Sequence, residues 1–177
     1  MAGIDERIAF VPVQIAILTV SDTRASEQDD RSGAALVERA RQAGHRIVQR
    51  AFVPDDRARI EQQLRAFIAD PHVDVVIATG GTGVTGRDVT PEAFRAVYEK
   101  EIEGFGELFR WLSFKHVGTS TIQSRATAGV AGGTYLFALP GSPGACRDAW
   151  DEILVHQLDI RYRPCNFVEL MPRLQEK

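Results

Sequence analysis

Four short apolar segments, each followed by a polar loop, place the strongest constraint on how this chain can fold. The segments are Gln14–Val20, Arg46–Val53, Asp74–Thr79 and Thr134–Ala138. Their nearly continuous apolar character is typical of strands that are covered on both faces, as in a parallel sheet. Because stretches with helical periodicity separate them, the sequence predicts an α/β fold with a mostly parallel central sheet.

The first two helical stretches carry apolar residues at the spacing of an amphipathic helix. Ser32–Ala43 is predicted to be a helix, and Gly44 stands where a glycine commonly follows a helix end. A second helix is predicted to end near Asp70 and Pro71. Its apolar face comprises Ile60, Leu64, Phe67 and Ile68.

The later helices are marked by capping signals and by one interruption. Thr90 followed by Pro91 is typical of an N-cap and a first helical residue, so a helix is predicted to start there. The next helical pattern is predicted to break around Gly104 and Gly106. The last helix has a single apolar stripe made of Trp150, Ile153, Leu154 and Leu158.

Composition limits the class of protein. The chain has 177 residues, 44% of them apolar and 25% charged, which is ordinary for a globular protein. This length fits one domain over residues 1–177, with residues 1–12 and 164–177 as peripheral tails. A net charge of −3 argues against nucleic acid as a partner. No apolar run approaches the about 20 residues that span a bilayer and no signal peptide is visible, so we expect a cytoplasmic protein without membrane contact.

The cysteines and histidines do not have the spacing of metal ligands. Cys146 and Cys165 are far apart, which fits a reducing compartment. The four histidines form no motif of paired ligands, so no zinc site is expected. They are His45, His72, His116 and His156.

Polar residues collect where the predicted strands end. In open α/β sheets, ligands bind in the crevice outside the carboxyl ends of the strands. We therefore expect these loops to meet in one cleft. Its candidate residues are Ser21 and Asp22 after the first strand, Asp55 after the second, Thr79, Gly80, Gly81, Thr82 and Gly83 at the third, and Pro140, Gly141 and Ser142 after the fourth.

The glycine-rich loop after the third strand favours phosphate binding. Gly81–Gly86 matches G-x-G-x-x-G, but it follows the third strand and the helix begins only later, which argues against a dinucleotide site. No Gly-Lys-Ser/Thr closes the loop, so it is not a Walker A motif. Successive glycine N–H groups can form an anion-binding nest, which a simple turn would not require.

Asp88 and Asp55 are the candidate catalytic residues and magnesium ligands. A carboxylate beside a phosphate site is repulsive unless a cation lies between them, and Mg²⁺ commonly joins one or two carboxylates to substrate phosphates. The alternatives are that Asp88 braces its loop and that Asp55 caps the following helix. Which of Asp55 and Asp56 faces the cleft stays open at this stage.

Ser142 lies in a strand-to-helix turn, as a serine nucleophile would. The nucleophile elbow requires G-x-S-x-G, whereas Pro140 occupies the first position here. His156 falls within the last predicted helix rather than in a loop. Ser142 is therefore interpreted as a helix cap or an anion ligand rather than a nucleophile.

Several motifs together resemble the MoaB/Mog family of molybdenum cofactor biosynthesis proteins. They read LTVSDTR, TGGTGVTGRDVTPE, FGELFR and LPGSPGACRDAW. The segments EGFGELFRWLSF and GTSTIQSRA and the ending RYRPCNF resemble the MoaB branch in particular. The resemblance covers essentially the whole chain.

The resemblance implies a three-layer αβα fold, a homo-oligomer (trimer or hexamer) and a nucleotidyltransferase activity. In that reaction Mg²⁺ and ATP adenylylate the terminal phosphate of molybdopterin, and pyrophosphate is released. The family's functional positions correspond to Asp55, Gly80–Gly83, Asp88 and Pro140–Ser142.

Two features of the chain bear on activity within this family. Some members of the MoaB branch lack the aspartate of RDVTPE and are thought inactive, whereas this chain keeps Asp88. Family members commonly carry lysine where Gly144 stands here. The alternative function is therefore a weak or inactive molybdopterin-binding scaffold.

Overall fold

A six-stranded sheet forms the centre of the protein in the computed structural model, which describes residues 2–24 and 26–176. Its strands are β2 (Gln14–Val20), β3 (Arg46–Val53), β4 (Val75–Thr79), β5 (Lys100–Glu101), β6 (Thr127–Ala131) and β7 (Thr134–Leu139); β1 (Gly3–Ile4) and β8 (Tyr162–Arg163) pair separately. The order in the sheet is β3-β2-β4-β7-β6-β5, and β3, β2, β4 and β7 are mutually parallel. Strand β6 runs antiparallel to both of its neighbours, β5 and β7.

Helices cover both faces of the sheet, which confirms the predicted three-layer αβα fold. Side chains alternate across β2, so Ile15 and Ile17 enter one core while Ala16 and Leu18 enter the other. The helices are α1 (Arg31–Gln42), α2 (Arg57–Ala69), α3 (Thr90–Arg95), α4 (Glu103–Val117), α5 (Pro143–Ala149), α6 (Val155–Gln157) and α7 (Phe167–Leu170). Helices α1, α4 and α5 pack on the first core, and α2 and α3 on the second.

The strand order creates a crevice between β2 and β4. The chain passes from β2 through α1 to β3 on one side, and then through α2 to β4 on the other side of β2. Because α1, which follows β2, and α3, which follows β4, lie on opposite faces, the loops leaving β2 and β4 separate at this point. Such a topological switch point is where open α/β sheets bind ligands.

Several helix and strand predictions are confirmed. The helix Arg31–Gln42 ends one residue before the predicted end, and Gly44 follows with a φ of 91°. The stripe of the last helix is buried, although a π-helical turn, Trp150–Leu154, interrupts it. All four predicted strands are present.

Two predictions about local structure were wrong, and strand β6 was missed. The helix α4 runs without a break through Gly104 and Gly106. Packing of the apolar residues of α4 on the core outweighs the weak helix preference of glycine. Thr90 is the first residue of α3, and Val89 precedes it without a side-chain cap. Strand β6 was not predicted, since Thr127–Ala131 is short and dominated by small residues.

The two ends of the chain pack against the body of the protein. Phe10 lies 5.2 Å from the ring of His45, and Tyr135 lies 4.8 Å from the ring of Phe167. The C-terminal segment, which the sequence analysis describes as a peripheral tail, contains α7 and a 3₁₀ turn at Met171–Arg173. Over the described residues, no helix combines the length and the apolar character needed to cross a bilayer.

Candidate functional site

The loops after β2 and β3 are joined by a reciprocal pair of hydrogen bonds. The backbone N–H of Asp22 donates to Oδ2 of Asp55 at 3.0 Å, and the N–H of Asp55 donates to Oδ1 of Asp22 at 3.1 Å. Ser21 supports the first loop, since its hydroxyl accepts from the N–H groups of Thr23 and Arg24. Two strand exits that are far apart in sequence thus form one acidic corner.

Asp22 also holds Arg87, which enters from the glycine loop. Both Nη2 and Nε of Arg87 contact the Asp22 carboxylate at 2.8–3.0 Å. This bidentate bond is the main reason that the pKa of Asp22 lies below its usual value. Arg87 is well exposed, so the pair lies at the mouth of the crevice.

Asp55, rather than Asp56, belongs to the crevice. Asp56 caps α2 by accepting from the N–H of Arg59 at 2.9 Å, which leaves Asp55 free for the β2 loop. Burial raises the pKa of Asp55, and the nearby Asp22 and Asp88 carboxylates act in the same direction. A cation at this carboxylate would relieve both costs.

The first two glycines of the loop are required by close approach of the backbone. Gly80 and Gly81 have φ values of 107° and 64°, which side chains rarely adopt. A Cβ on Gly80 would overlap the carbonyl oxygen of Val20. A Cβ on Gly81 would lie 2.8 Å from Oδ1 of Asp55, so the loop backbone runs directly beside this carboxylate.

Asp88 braces the far side of the glycine loop. Its Oδ2 accepts from the N–H of Thr85 at 2.8 Å and from the Thr85 hydroxyl at 2.6 Å. Partial burial raises the pKa of Asp88, but the bonds from Thr85 and the N–H of Gly83 outweigh it and the pKa is lowered. The alternative stated from the sequence, that Asp88 braces its own loop, is therefore present in the structure. The Oδ1 atom takes no part in the two bonds to Thr85.

The two threonines among the candidate residues are buried. The hydroxyl of Thr79 donates to the carbonyl of Pro140 at 2.9 Å and contacts Sγ of Cys146 at 3.2 Å. Thr82 is 3% exposed, and its carbonyl accepts from the N–H of Arg125. The Thr79 side chain thus connects β4 to the loop after β7, and the Thr82 backbone connects the glycine loop to Arg125.

The loop Pro140–Ser142 closes the crevice from the β7 side. The carbonyl of Gly141 accepts from the Ser32 hydroxyl at 2.8 Å and from Nη1 of Arg24 at 3.0 Å. A Cβ on Gly141 would lie 3.3 Å from the Cα of Gly80, so the two glycine loops touch. Ser142 caps α5 by accepting from the N–H of Ala145. Of the two roles predicted for Ser142, helix cap and anion ligand, the first is therefore present.

A cavity of about 490 Å³ lies behind this loop, between α4 and α5. Phe109, Val117 and Pro140 contribute apolar surface, whereas His116 and Arg147 contribute cationic or polar groups. Ser142 and Gly144 also line it. The loop thus has the carboxylate crevice on one side and this cavity on the other.

Arg24, Arg87 and Arg125 were missed by sequence reasoning, although all three touch these loops. Arg24 and Arg87 stand beside the quoted acids in the motifs SDTR and GRD. That adjacency could have drawn attention to them. Arg125 is 37 residues from Asp88 in the chain, and no local pattern connects the two.

The residues at the acidic corner fit a Mg²⁺ ion that is completed by a ligand. Across residues 2–24 and 26–176, no cluster of three His, Cys, Asp or Glu side chains is arranged to hold a metal. Mg²⁺ does not need such a cluster, since one or two carboxylates and substrate phosphates suffice. The hydroxyl of Thr90 is buried beneath Gly81 without a hydrogen-bond partner in the described part of the chain, beside Asp55. It offers a further oxygen at this point.

Comparison with known proteins identifies the family to which this fold belongs. Residues 16–160 match the family described as "Probable molybdopterin binding domain". Molybdenum cofactor biosynthesis protein B of Escherichia coli K12 is 54% identical over 158 residues, covering 89% of this chain and 92% of that protein. The protein of the same name from Bacillus cereus is 44% identical over 147 residues, covering 82% of this chain and 86% of that one.

Solved structures agree. A crystal structure of a molybdenum cofactor biosynthesis protein B has a TM-score of 0.86 and 38% identity, covering 96% of this chain and 100% of that one. The tungsten cofactor synthesizing protein MoaB from Pyrococcus furiosus has a TM-score of 0.71 and 38% identity, with coverages of 81% and 91%. The chain belongs to the MoaB/Mog family of molybdenum cofactor biosynthesis proteins.

Proposed function

We propose that this protein acts in molybdenum cofactor biosynthesis as a cytoplasmic, Mg²⁺- and ATP-dependent molybdopterin adenylyltransferase. The observation that carries the proposal is the crevice at the switch point. There a glycine loop that excludes side chains passes beside Asp55, while Asp88 lies on the same loop. Binding of an anion with a cation between it and the carboxylates follows from this arrangement.

The reaction is an in-line displacement at phosphorus. A terminal phosphate oxygen of molybdopterin attacks the α-phosphorus of ATP, the bond from that phosphorus to the β-bridging oxygen breaks, and pyrophosphate leaves. Positioning and charge stabilisation carry such a reaction, so no covalent enzyme intermediate is needed.

Asp55 and Asp88 are proposed to hold Mg²⁺ against the ATP phosphates. When bound, the ion supplies charge neutralisation of the phosphate oxygens. Asp55 is suited to this role because burial raises its pKa, so a cation gains more there than at a solvated carboxylate. Asp88 keeps one carboxylate oxygen, Oδ1, outside its bonds to Thr85.

Arg87 and the loop amides are proposed to contact the nucleotide phosphates. The guanidinium of Arg87 is exposed at the mouth and held only by Asp22 among the described residues. An exposed ion pair contributes little to stability. Replacing the Asp22 carboxylate by a nucleotide phosphate as the partner of Arg87 therefore costs little free energy. The N–H of Gly80 donates to the carbonyl of Leu139 and that of Gly83 donates to the Asp88 carboxylate. The N–H groups of Gly81 and Thr82 are therefore the ones proposed to complete the anion site.

The cavity between α4 and α5 is proposed to receive molybdopterin. It is large enough for a fused heterocycle and combines apolar walls with polar side chains, as ligand cavities generally do. Ser142 stands on the loop that separates it from the crevice. A ligand lying across this loop would bring its phosphate toward the nucleotide.

The decisive experiment measures pyrophosphate released by the purified protein from MgATP, with and without molybdopterin. Release only when molybdopterin is present supports the proposal, and no release with authentic substrate would sink it. Asp55→Asn and Asp88→Asn are expected to lower turnover at least 100-fold, as loss of an essential charge commonly does. Asp56→Asn is the matched control, because asparagine caps a helix as well as aspartate does.

A molybdopterin-binding scaffold without catalysis is the second candidate. Two observations favour it: Asp88 is turned toward Thr85, and Gly144 contributes no charge to the cavity that it lines. It predicts molybdopterin binding by calorimetry, with no ATP consumption and no effect of Asp55→Asn. The pyrophosphate assay separates the two candidates.

Self-association is proposed to use the outer side of α4 and the following 3₁₀ turn, here called the α4 face. It consists of the exposed apolar side chains Leu108, Trp111, Phe114, Val117 and Ile122. Contiguous exposed apolar side chains of this size commonly mark an interface. The resemblance to the MoaB/Mog family makes another copy of the chain the expected occupant, in a trimer or hexamer.

A further inference from the structure

Arg125 contacts the glycine loop, here residues 80–88, at several points. Its Nε–H donates to the carbonyl of Gly83 at 2.6 Å, and its Nη2 donates to the carbonyl of Asp88 at 2.6 Å. Its own backbone N–H donates to the carbonyl of Thr82 at 2.9 Å. The third guanidinium nitrogen, Nη1, pairs with the carboxylate of Glu92 on α3. One side chain therefore ties both ends of the loop to a helix.

These bonds fix the direction of peptide groups within the loop. In a planar trans peptide, the carbonyl of one residue and the N–H of the next point in opposite directions. Holding the carbonyls of Gly83 and Asp88 toward Arg125 therefore turns the N–H groups of Val84 and Val89 away from it. The direction of donor groups decides whether a loop can bind an anion.

The middle of the loop has few other supports. Residues 84–87 are exposed, and Val84 is 65% exposed. Bonds from Thr85 and from the N–H of Gly83 to Asp88 close the loop on itself. The other outward bond of this stretch is the exposed ion pair between Arg87 and Asp22. Arg125 is less exposed than Arg87, and its bonds to the carbonyls of Gly83 and Asp88 link the loop backbone to the rest of the protein.

Arginine is the residue type that this position requires. The guanidinium reaches three acceptors at once with a rigid planar fork, whereas a lysine ammonium has the same charge and a different geometry. Each acceptor is bonded by a different nitrogen of Arg125. Lysine could satisfy only part of this set.

We infer that Arg125 is a positioning residue for the phosphate-binding loop, setting the loop geometry that MgATP requires without contacting the nucleotide. The inference rests on the proposed function, because it assigns the nucleotide phosphates to this loop. It places the determinant of nucleotide affinity on the segment between the 3₁₀ turn at Gly118–Gln123 and β6.

The test compares Arg125→Lys with wild type, using Arg110→Lys as the matched control. Arg110 is a neighbouring arginine that also donates to a backbone carbonyl, that of Ala126, but does not touch the loop. Arg125→Lys is expected to raise the KM for ATP at least tenfold and to leave the KM for molybdopterin within twofold. Arg110→Lys is expected to change neither.

Hydrogen exchange supplies the readout that does not depend on catalysis. In Arg125→Lys the amides of residues 84–88 are expected to exchange at least tenfold faster, while amides of β4 and α2 keep their wild-type rates. Unchanged loop exchange together with an unchanged KM for ATP would overturn the inference. Faster exchange across the whole chain would also overturn it, since Arg125 would then serve global stability.

Failure of the proposed function gives a different pattern from failure of this inference. If wild type neither binds nor consumes MgATP, the adenylyltransferase proposal fails, and the hydrogen exchange comparison still decides whether Arg125 orders the loop. If wild type is active and Arg125→Lys equals it in both measurements, only the inference fails.

Discussion

The stability of this protein is expected to fall between pH 7 and pH 5 because of His45. The imidazole is 5% exposed, and its Nδ1 accepts from the N–H of Val13 at 3.2 Å, which requires the neutral ring. Burial lowers the pKa of His45 from 6.5 to about 4, although the nearby Asp159 acts in the opposite direction. The unfolded chain therefore binds a proton at this residue more readily than the native protein does.

The size of the effect follows from the two pKa values. The full difference between 6.5 and about 4 corresponds to about 3 kcal/mol, since each tenfold change in proton affinity is 1.36 kcal/mol. The contribution of His45 is complete above pH 6.5, declines as the pH falls, and levels off below pH 4. Between pH 7 and pH 5 the loss amounts to about 2 kcal/mol.

The assay is urea unfolding at fixed protein concentration, followed by far-ultraviolet circular dichroism at pH 7, 6 and 5. His45→Asn keeps an acceptor for the Val13 N–H but removes the titration, so its free energy of unfolding should change by less than 0.5 kcal/mol over the same range. His72→Asn is the control, because His72 is exposed. A parallel decline of wild type and His45→Asn would refute the reasoning and attribute the loss to carboxylates.

Three further predictions concern the site, the surface and the thiols. Gly80→Ala should lower the free energy of unfolding by roughly 2 kcal/mol or more, because Gly80 has a positive φ and a Cβ there would overlap Val20. Gly144→Ala is the control, because a Cβ at Gly144 meets no atom within 4 Å; urea unfolding should detect no change in its stability. Trp111→Glu should reduce the sedimentation mass of any oligomer without lowering far-ultraviolet helicity, since Trp111 is exposed; an unchanged mass would contradict use of the α4 face. At pH 8 iodoacetamide should modify Cys165 in the native protein but not Cys146, where burial raises the pKa to about 11; mass spectrometry showing two labels before urea is added would contradict this.

Some of the fold could be predicted because local patterns report it directly. Unbroken apolar runs such as Gln14–Val20 identify strands covered on both faces, and their alternation with amphipathic stretches identifies an α/β sheet. The same reasoning failed for Thr127–Ala131, where small residues carry a weak strand preference. Antiparallel pairing with β7, which follows directly after Gly132 and Gly133, makes that segment a strand.

The candidate site was only partly predictable for a similar reason. Glycines at positive φ and acids after strands are visible in the sequence, which is why Gly80, Gly81 and Asp55 were selected. The choice between Asp55 and Asp56 depends on which one caps α2, and the sequence offers both. The double role of Asp88 also became visible only when its bonds to Thr85 were known.

The sequence by itself determined the class of fold, the order of its main elements and the segments that supply the site, because these depend on periodicity and on residues with special backbone freedom. The tertiary structure alone decided which strands are neighbours, and hence that the loops after β2 and β4 separate to form a crevice. It alone brought Arg125 beneath the glycine loop and Arg87 onto Asp22. Contacts between residues far apart in the chain follow from packing of the whole molecule, and no local pattern encodes them.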